Sequence, residues 1–188
     1  MKELIDNFDT EKLIHCRELI ISESTIFIDD ELMEIKHYRL LHEVLTTATE
    51  NDLIRFVINT PGGYLDTFIQ LYDLIQNCRA NTIAEIYNAQ SAGSLLALSC
   101  NEIEVKPFAN VMIHDVSGGT VGKIGEMQSD MKFSVERRNK IYDYLYQGFL
   151  TDEEIIDLKK GVDFNFGEDE IKERLKNWTS IKKREQEK

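Results

Sequence analysis

The sequence predicts one α/β domain with helices packed against a sheet. A β-rich run, Leu53–Ile58, stops at Pro61-Gly62-Gly63 and gives way to a helical apolar face. The same strand–turn–helix order recurs from Thr82–Tyr87, and a long helical segment follows near residues 123–149. With 188 residues, 42% of them apolar, the chain has enough material for a single core.

Residues 1–17 mix charge and apolar character without a strand period and read as an N-terminal arm or short helix. Ile20-Ile21 and Ile26-Phe27-Ile28 flank polar Ser22-Glu23-Ser24, which predicts a short strand on each side of a turn. From about Glu31 to Thr49, Leu32, Ile35, Leu40, Leu41, Val44 and Leu45 recur at threes and fours, with a phase slip near Lys36–Tyr38. After the glycine turn, Leu65, Phe68, Ile69, Tyr72 and Ile75 share one helical face.

Thr82–Tyr87 leads through Asn88-Ala89-Gln90-Ser91-Ala92-Gly93 into a short apolar helix over Ser94–Leu98. Ile103–Val105 and Val111–Ile113 read as two short strands separated by Pro107. The segment from about Lys123 to Phe149 is an amphipathic helix carrying Ile124, Met127, Met131, Val135, Ile141, Tyr142 and Leu145. Thr151-Asp152-Glu153-Glu154 is a capping box, in which the threonine hydroxyl and the glutamate side chain each satisfy the other residue's orphan N–H. Residues 18–176 thus read as one domain, and 177–188 as a charged C-terminal tail.

Charge removes several classes of function. The formal net charge is −12 and the isoelectric point about 4.8, with no Lys/Arg-rich stripe inside the folded region, so nucleic acid is not an expected partner. Cys16, Cys78 and Cys100 are odd in number and widely spaced, which fits neither a disulfide framework nor a zinc knuckle. His37 and His42, five apart, fall on different helical faces and make a poor metal pair. The N-terminal residues lack the apolar stretch of a signal peptide, and no apolar run nears the ~18 residues of a membrane span. The expectation is a cytoplasmic protein with no metal, cofactor or membrane association.

Three segments carry chemistry. Ser91 stands where a strand turns into a helix, between small residues that let a substrate approach. A serine hydroxyl needs a base to take its proton and donors to hold the oxyanion, and the Ala92 N–H at the positive end of a helix is one such donor. The plain alternative is that Ser91 only caps the helix, since serine is a favoured N-cap residue. His114 ends an apolar strand and faces a glycine-bearing loop, a good place for proton transfer, although a histidine at a strand end is commonly structural. Gly62-Gly63 is either a tight turn or a source of unpaired backbone N–H groups.

Taken together, Ile58-Asn59-Thr60-Pro61-Gly62-Gly63, Ala89-Gln90-Ser91-Ala92-Gly93 and Val111-Met112-Ile113-His114 with Gly118-Gly119 resemble the glycine turn, nucleophile segment and histidine segment of the ClpP-type serine peptidases. The resemblance implies the ClpP/crotonase-like spiral of ββα units, with a long handle helix at about 120–150. It implies Ser91 as nucleophile, His114 as general base and Asp163, in Lys160-Gly161-Val162-Asp163-Phe164, as the third member of the triad. Asp157, Asp152 and Asp115 are competitors for that third role. Gly63 and Ala92 would form the oxyanion hole. An extended polypeptide substrate would lie along Gly62, Tyr64 and the Ser117, Gly118, Gly119 edge as an added strand.

Ala92 stands where the family carries a bulkier apolar residue, which predicts a widened specificity pocket. The family further implies a homo-oligomer of two stacked rings with handles at the seam, and an AAA+ unfoldase as partner. No phosphate-binding loop is present in this chain, so ATP hydrolysis would belong to the partner. Competing readings are a crotonase-like acyl-CoA enzyme, a specialised processing peptidase such as a head-maturation type, and an inactive assembly protein of the same fold.

Overall fold

A parallel ladder of four strands, extended by one antiparallel strand, forms the frame of the molecule. β1 (Glu23–Ile28), β2 (Leu53–Thr60), β3 (Asn81–Gln90), β4 (Glu102–Ile113) and β5 (Phe164–Gly167) lie in that order across one sheet. β1 to β4 are parallel, and β5 runs antiparallel to β4. These coordinates come from a computed structural model that describes residues 22–186, with side chains through Trp178. The arm expected over 1–17 and the Ile20-Ile21 strand lie outside the described residues.

Parallel neighbours require a crossover, and each one carries a helix. A 3-10 turn (Ile35–Tyr38) and α1 (Arg39–Thr47) join β1 to β2, α2 (Leu65–Asn77) joins β2 to β3, and α3 (Ala92–Ser99) joins β3 to β4. Then come α4 (Ile124–Leu145), α5 (Asp152–Leu158) and α6 (Glu168–Gln186), which carries the backbone of the charged tail onward as helix. The α/β class is therefore the one the sequence predicts. The phase slip near Lys36–Tyr38 coincides with the passage from 3-10 to α geometry.

Strand alternation decides what enters the core. In β2, Ile54, Phe56, Ile58 and Thr60 are buried while the residues between them are more exposed. α2 answers with Thr67, Phe68, Leu71 and Ile75 on its inner face. Cutting Phe56, wholly buried, to alanine would cost about 3–5 kcal/mol.

Three elements differ from the sequence expectation. Glu23 and Ser24, read as a turn, pair with Leu53 and Ile54 as strand; their polarity suits an edge, where Glu23 meets Arg55 at 3.2 Å. Pro107 does not split two strands. β4 runs continuously past it, and its pairing with β3 jumps from Val105 to Asn110, so Pro107 falls where no N–H is needed for that ladder. Phe108 beside it takes φ 62° and gives its N–H to Glu168 at 2.7 Å. Finally, α4 buries only Tyr142 and Leu145; Ile124 is 77% and Met131 49% exposed. Among the described residues, no helix is long and apolar enough to cross a membrane.

Candidate active site

Two turns converge at the carboxyl ends of β2 and β3. In the first, Gly62 and Gly63 take φ of 98° and 145°, a region that glycine enters without the penalty of a side chain. A Cβ on Gly62 would stand 2.7 Å from both the Gln90 carbonyl oxygen and the Ser91 Cβ, so the close approach itself demands glycine. Leu32 holds the turn from behind, donating its N–H to the Gly62 carbonyl (2.6 Å) and accepting the Tyr64 N–H (2.9 Å). Alternate residues of an extended strand direct their peptide groups to opposite edges, so the Gly63 N–H points away from Leu32. Among the described residues it has no acceptor.

In the second turn, Ser91 links β3 to α3 with φ 52° and ψ −122°, a conformation costly for any residue bearing a side chain. Ser91 occupies the N-cap position, but its hydroxyl makes no capping bond. Ser94 closes the first turn instead, donating its hydroxyl to the Ser91 carbonyl at 2.7 Å. The Ser91 N–H is donated to the Met112 carbonyl at 2.8 Å, which ties this turn to the strand that delivers His114. Ala92 opens α3, so its N–H lies at the positive end of the helix.

His114 directly follows β4. Ser91, His114, Gly63 and Ala92 line one cavity of about 20 Å3. The antiparallel register pairs Ile113 with Phe164, which leaves His114 and the exposed Asp163 each one residue beyond that last pair. The competing carboxylates are engaged elsewhere: Asp115 with Arg138 (2.5 Å) and the Tyr142 hydroxyl (3.1 Å), and Asp157 with Lys160 (2.9 Å). Asp152 begins α5, where the helix dipole accounts for it. Tyr64 is half-exposed beside the glycine turn, and Ser117, Gly118 and Gly119 form an exposed irregular segment beyond His114 rather than a formed strand edge. Among the described residues, no group of three or more His, Cys, Asp or Glu side chains could hold a metal ion.

Sequence reasoning missed two members of the site. Tyr142 and Tyr146, four apart on the last turns of α4 and just past it, line the same cavity. The Tyr146 hydroxyl lies 2.8 Å from that of Ser94, while the Tyr142 hydroxyl accepts the Val116 N–H at 2.8 Å. Burial raises the pKa of both phenols well above the ordinary tyrosine range, and for Tyr142 the neighbouring Asp115 charge adds to it, so both remain neutral. Their helical spacing gave the sequence signal of a core face, and nothing in that pattern points to a cavity. Leu95 and the two tyrosine rings line the same cavity as Ala92.

A family model described as Clp protease matches residues 9–173. The chain is 28% identical over 124 residues to "ATP-dependent Clp protease proteolytic subunit 2" of Chlamydia pneumoniae, covering 63% of this chain and 61% of that protein. The same figures hold for the subunit 2 of Chlamydia trachomatis serovar D and for "ATP-dependent Clp protease proteolytic subunit 1" of Chlamydia felis. The alignment thus spans about three fifths of the length of these curated relatives.

Proposed function

Because the chain belongs to the Clp protease family, we propose that it is a serine peptidase acting through Ser91, His114 and Asp163. The Ser91 oxygen attacks the substrate carbonyl carbon while its proton passes to a ring nitrogen of His114. Asp163 steadies the other ring N–H and the imidazolium charge. The negative charge that develops on the substrate oxygen is met by the N–H groups of Gly63 and Ala92. His114 then returns the proton to the leaving amine, and water, deprotonated by the same imidazole, releases the acyl group from Ser91.

One observation carries this reading above the others. Ser91 holds a strained backbone conformation, keeps its hydroxyl out of helix capping, and shares a cavity with His114 and two N-terminal peptide donors. A serine retained only as a helix cap has no use for that strain.

Family membership, and relatives named as proteolytic subunits of an ATP-dependent protease, support an assembly as the next part of this reading. Subunits associate into two stacked rings around a chamber, with α4 at the seam, and an ATP-driven AAA+ unfoldase delivers polypeptides to it. The protein works in the cytoplasm, in keeping with its three scattered cysteines.

Ser91→Ala and His114→Ala should each lower hydrolysis of a short fluorogenic peptide by about a thousandfold or more, with an unchanged circular dichroism spectrum. Turnover equal to the parent in both variants would remove the mechanism. Labelling of Ser91 by a fluorophosphonate separates this peptidase from an inactive assembly protein or an acyl-CoA enzyme of the same fold.

A further inference from the structure

We propose that Tyr146 and Ser94 are positioning residues for Ser91, joined to its carbonyl by a directed chain of hydrogen bonds, and that Tyr142 does the same for the peptide behind His114 from the same face of α4. The role rests on the serine-peptidase reading above and adds to it the groups that hold the two reacting side chains at a fixed spacing.

Proton count gives the chain its direction. Ser94 donates its N–H at 3.0 Å and its hydroxyl at 2.7 Å to the Ser91 carbonyl, an oxygen that can only accept. A serine hydroxyl has a single proton, so the 2.8 Å contact with Tyr146 is made by the tyrosine O–H. The chain therefore runs from Tyr146 to Ser94 to Ser91. Burial keeps the Tyr146 phenol protonated, as a donor must be. Ser94 and Tyr146 are each 1% exposed, so solvent does not replace either partner.

What the chain holds is a residue under strain. Ser91 stands at φ 52° and ψ −122°, a conformation that persists only where the surroundings over-determine it. The Met112 carbonyl takes the Ser91 N–H at 2.8 Å, and Ser94 grips the Ser91 carbonyl from the other side. Both peptide groups that flank the nucleophile are thereby fixed, and the grip on the second depends on the two buried hydroxyls.

Tyr142 stands one turn earlier. Arg138, Tyr142 and Tyr146, spaced by four, form one row, which the Tyr146 N–H bond to the Tyr142 carbonyl (3.1 Å) keeps helical to its end. The Tyr142 hydroxyl accepts the Val116 N–H at 2.8 Å and donates to Asp115 at 3.1 Å, and Arg138 grips that carboxylate at 2.5 Å. The two rings lie 5.6 Å apart. One helix end thus reaches both the turn that carries Ser91 and the segment that leaves His114. A hydroxyl lost at either place loosens the spacing on which proton transfer depends.

The test uses the full chain, an N-blocked fluorogenic peptide, thermal melts and fluorophosphonate labelling of Ser91. Ser94→Ala should lower kcat several-fold at nearly constant KM, and Tyr146→Phe, which keeps the ring, by a smaller factor in the same direction. Ser94→Ala also strands the buried Tyr146 hydroxyl, so its melting temperature should fall by several degrees. Adding Tyr146→Phe to Ser94→Ala removes the stranded group: the melting temperature should return toward the parent's while kcat stays low. A kcat that recovers together with stability makes the pair ordinary core and overturns the proposal. Tyr142→Phe combined with Tyr146→Phe should lower kcat by less than the product of the two separate losses, because either break releases the same spacing; a full product overturns the shared role. Parental kcat in all these variants, from a protein whose Ser91 is labelled, overturns the positioning and leaves the peptidase reading standing. A parent that is neither labelled nor active overturns both.

Discussion

α3 and α4 border the same cavity but are built on opposite terms. All eight residues of α3 are buried, whereas α4, with 22 residues, buries only Tyr142 and Leu145. α3 contains glycine and two serines, poor material for an isolated helix, and is held by what surrounds it. At Gly93 a Cβ would come within 2.5 Å of the Thr60 methyl carbon. α4 exposes Ile124 at 77% and Phe133 at 66%, and beside it lies an open groove of about 740 Å3, bordered by Met127, Met131 and Val135. The Ser91 end of the site is thus determined by contacts inside the chain. The outer part of α4 carries apolar surface for which the described residues provide no cover. The two regimes meet where Arg138, Tyr142 and Tyr146 brace the His114 side of the cavity.

The contrast can be broken most severely at the glycine turn. Gly62→Ala places a methyl against the Gln90 carbonyl and Ser91 at a positive φ. It should lower kcat/KM by about a hundredfold and stability by about 1–3 kcal/mol in urea titration. Near-parental turnover would mean that the turn does not position Ser91.

A somewhat smaller effect, on stability, belongs to the support beneath β5. Arg174 bonds both carboxylate oxygens of Glu154 (2.8 and 2.7 Å) and the Phe149 carbonyl (3.0 Å), and lies 4.1 Å over the Phe166 ring. Arg174→Ala should cost about 2 kcal/mol at neutral pH. The Arg174 hydrogen bond lowers the pKa of Glu154. A depressed carboxylate pKa stabilises the fold above the unfolded-state value of about 4.3 and ceases to do so as pH falls through the folded value. The parent should therefore lose stability below about pH 4 more steeply than Arg174→Ala, as thermal melts across that range would show.

At the junction, Tyr142→Phe keeps the ring and deletes the hydroxyl that receives Val116 and contacts Asp115. Stability should fall by about 1 kcal/mol and kcat several-fold at nearly constant KM. An unchanged kcat would detach α4 from the chemistry. The smallest effect on the fold is expected at Phe133, where a serine should change unfolding free energy by no more than about 0.5 kcal/mol. Sedimentation should nonetheless show weaker self-association, and an assembly indifferent to that change would remove α4 from the ring seam.

How much of this was legible depended on where each residue's partner lies. β2 and its glycine turn were readable because strand alternation and Pro61-Gly62-Gly63 are local signals. The capping box was likewise local, and Thr151 and Glu154 exchange their bonds at 3.2 and 2.8 Å. Pro107 misled because the interruption belongs to the register with β3, which no local pattern carries. α4 reads as amphipathic in sequence, but a stripe of apolar residues does not say whether its cover is intramolecular. The cavity beside Ser91 depends on rings about fifty residues away in sequence, and the pairing that sets Phe164 opposite Ile113 is likewise non-local.

Leu32 contributes to the glycine turn through its own peptide group, an N–H and a carbonyl that every amino acid but proline can supply in full. The direction of the Gly63 amide is therefore secured by atoms the genetic code scarcely varies. An alanine scan through position 32 would register lost packing and pass over the backbone clasp altogether.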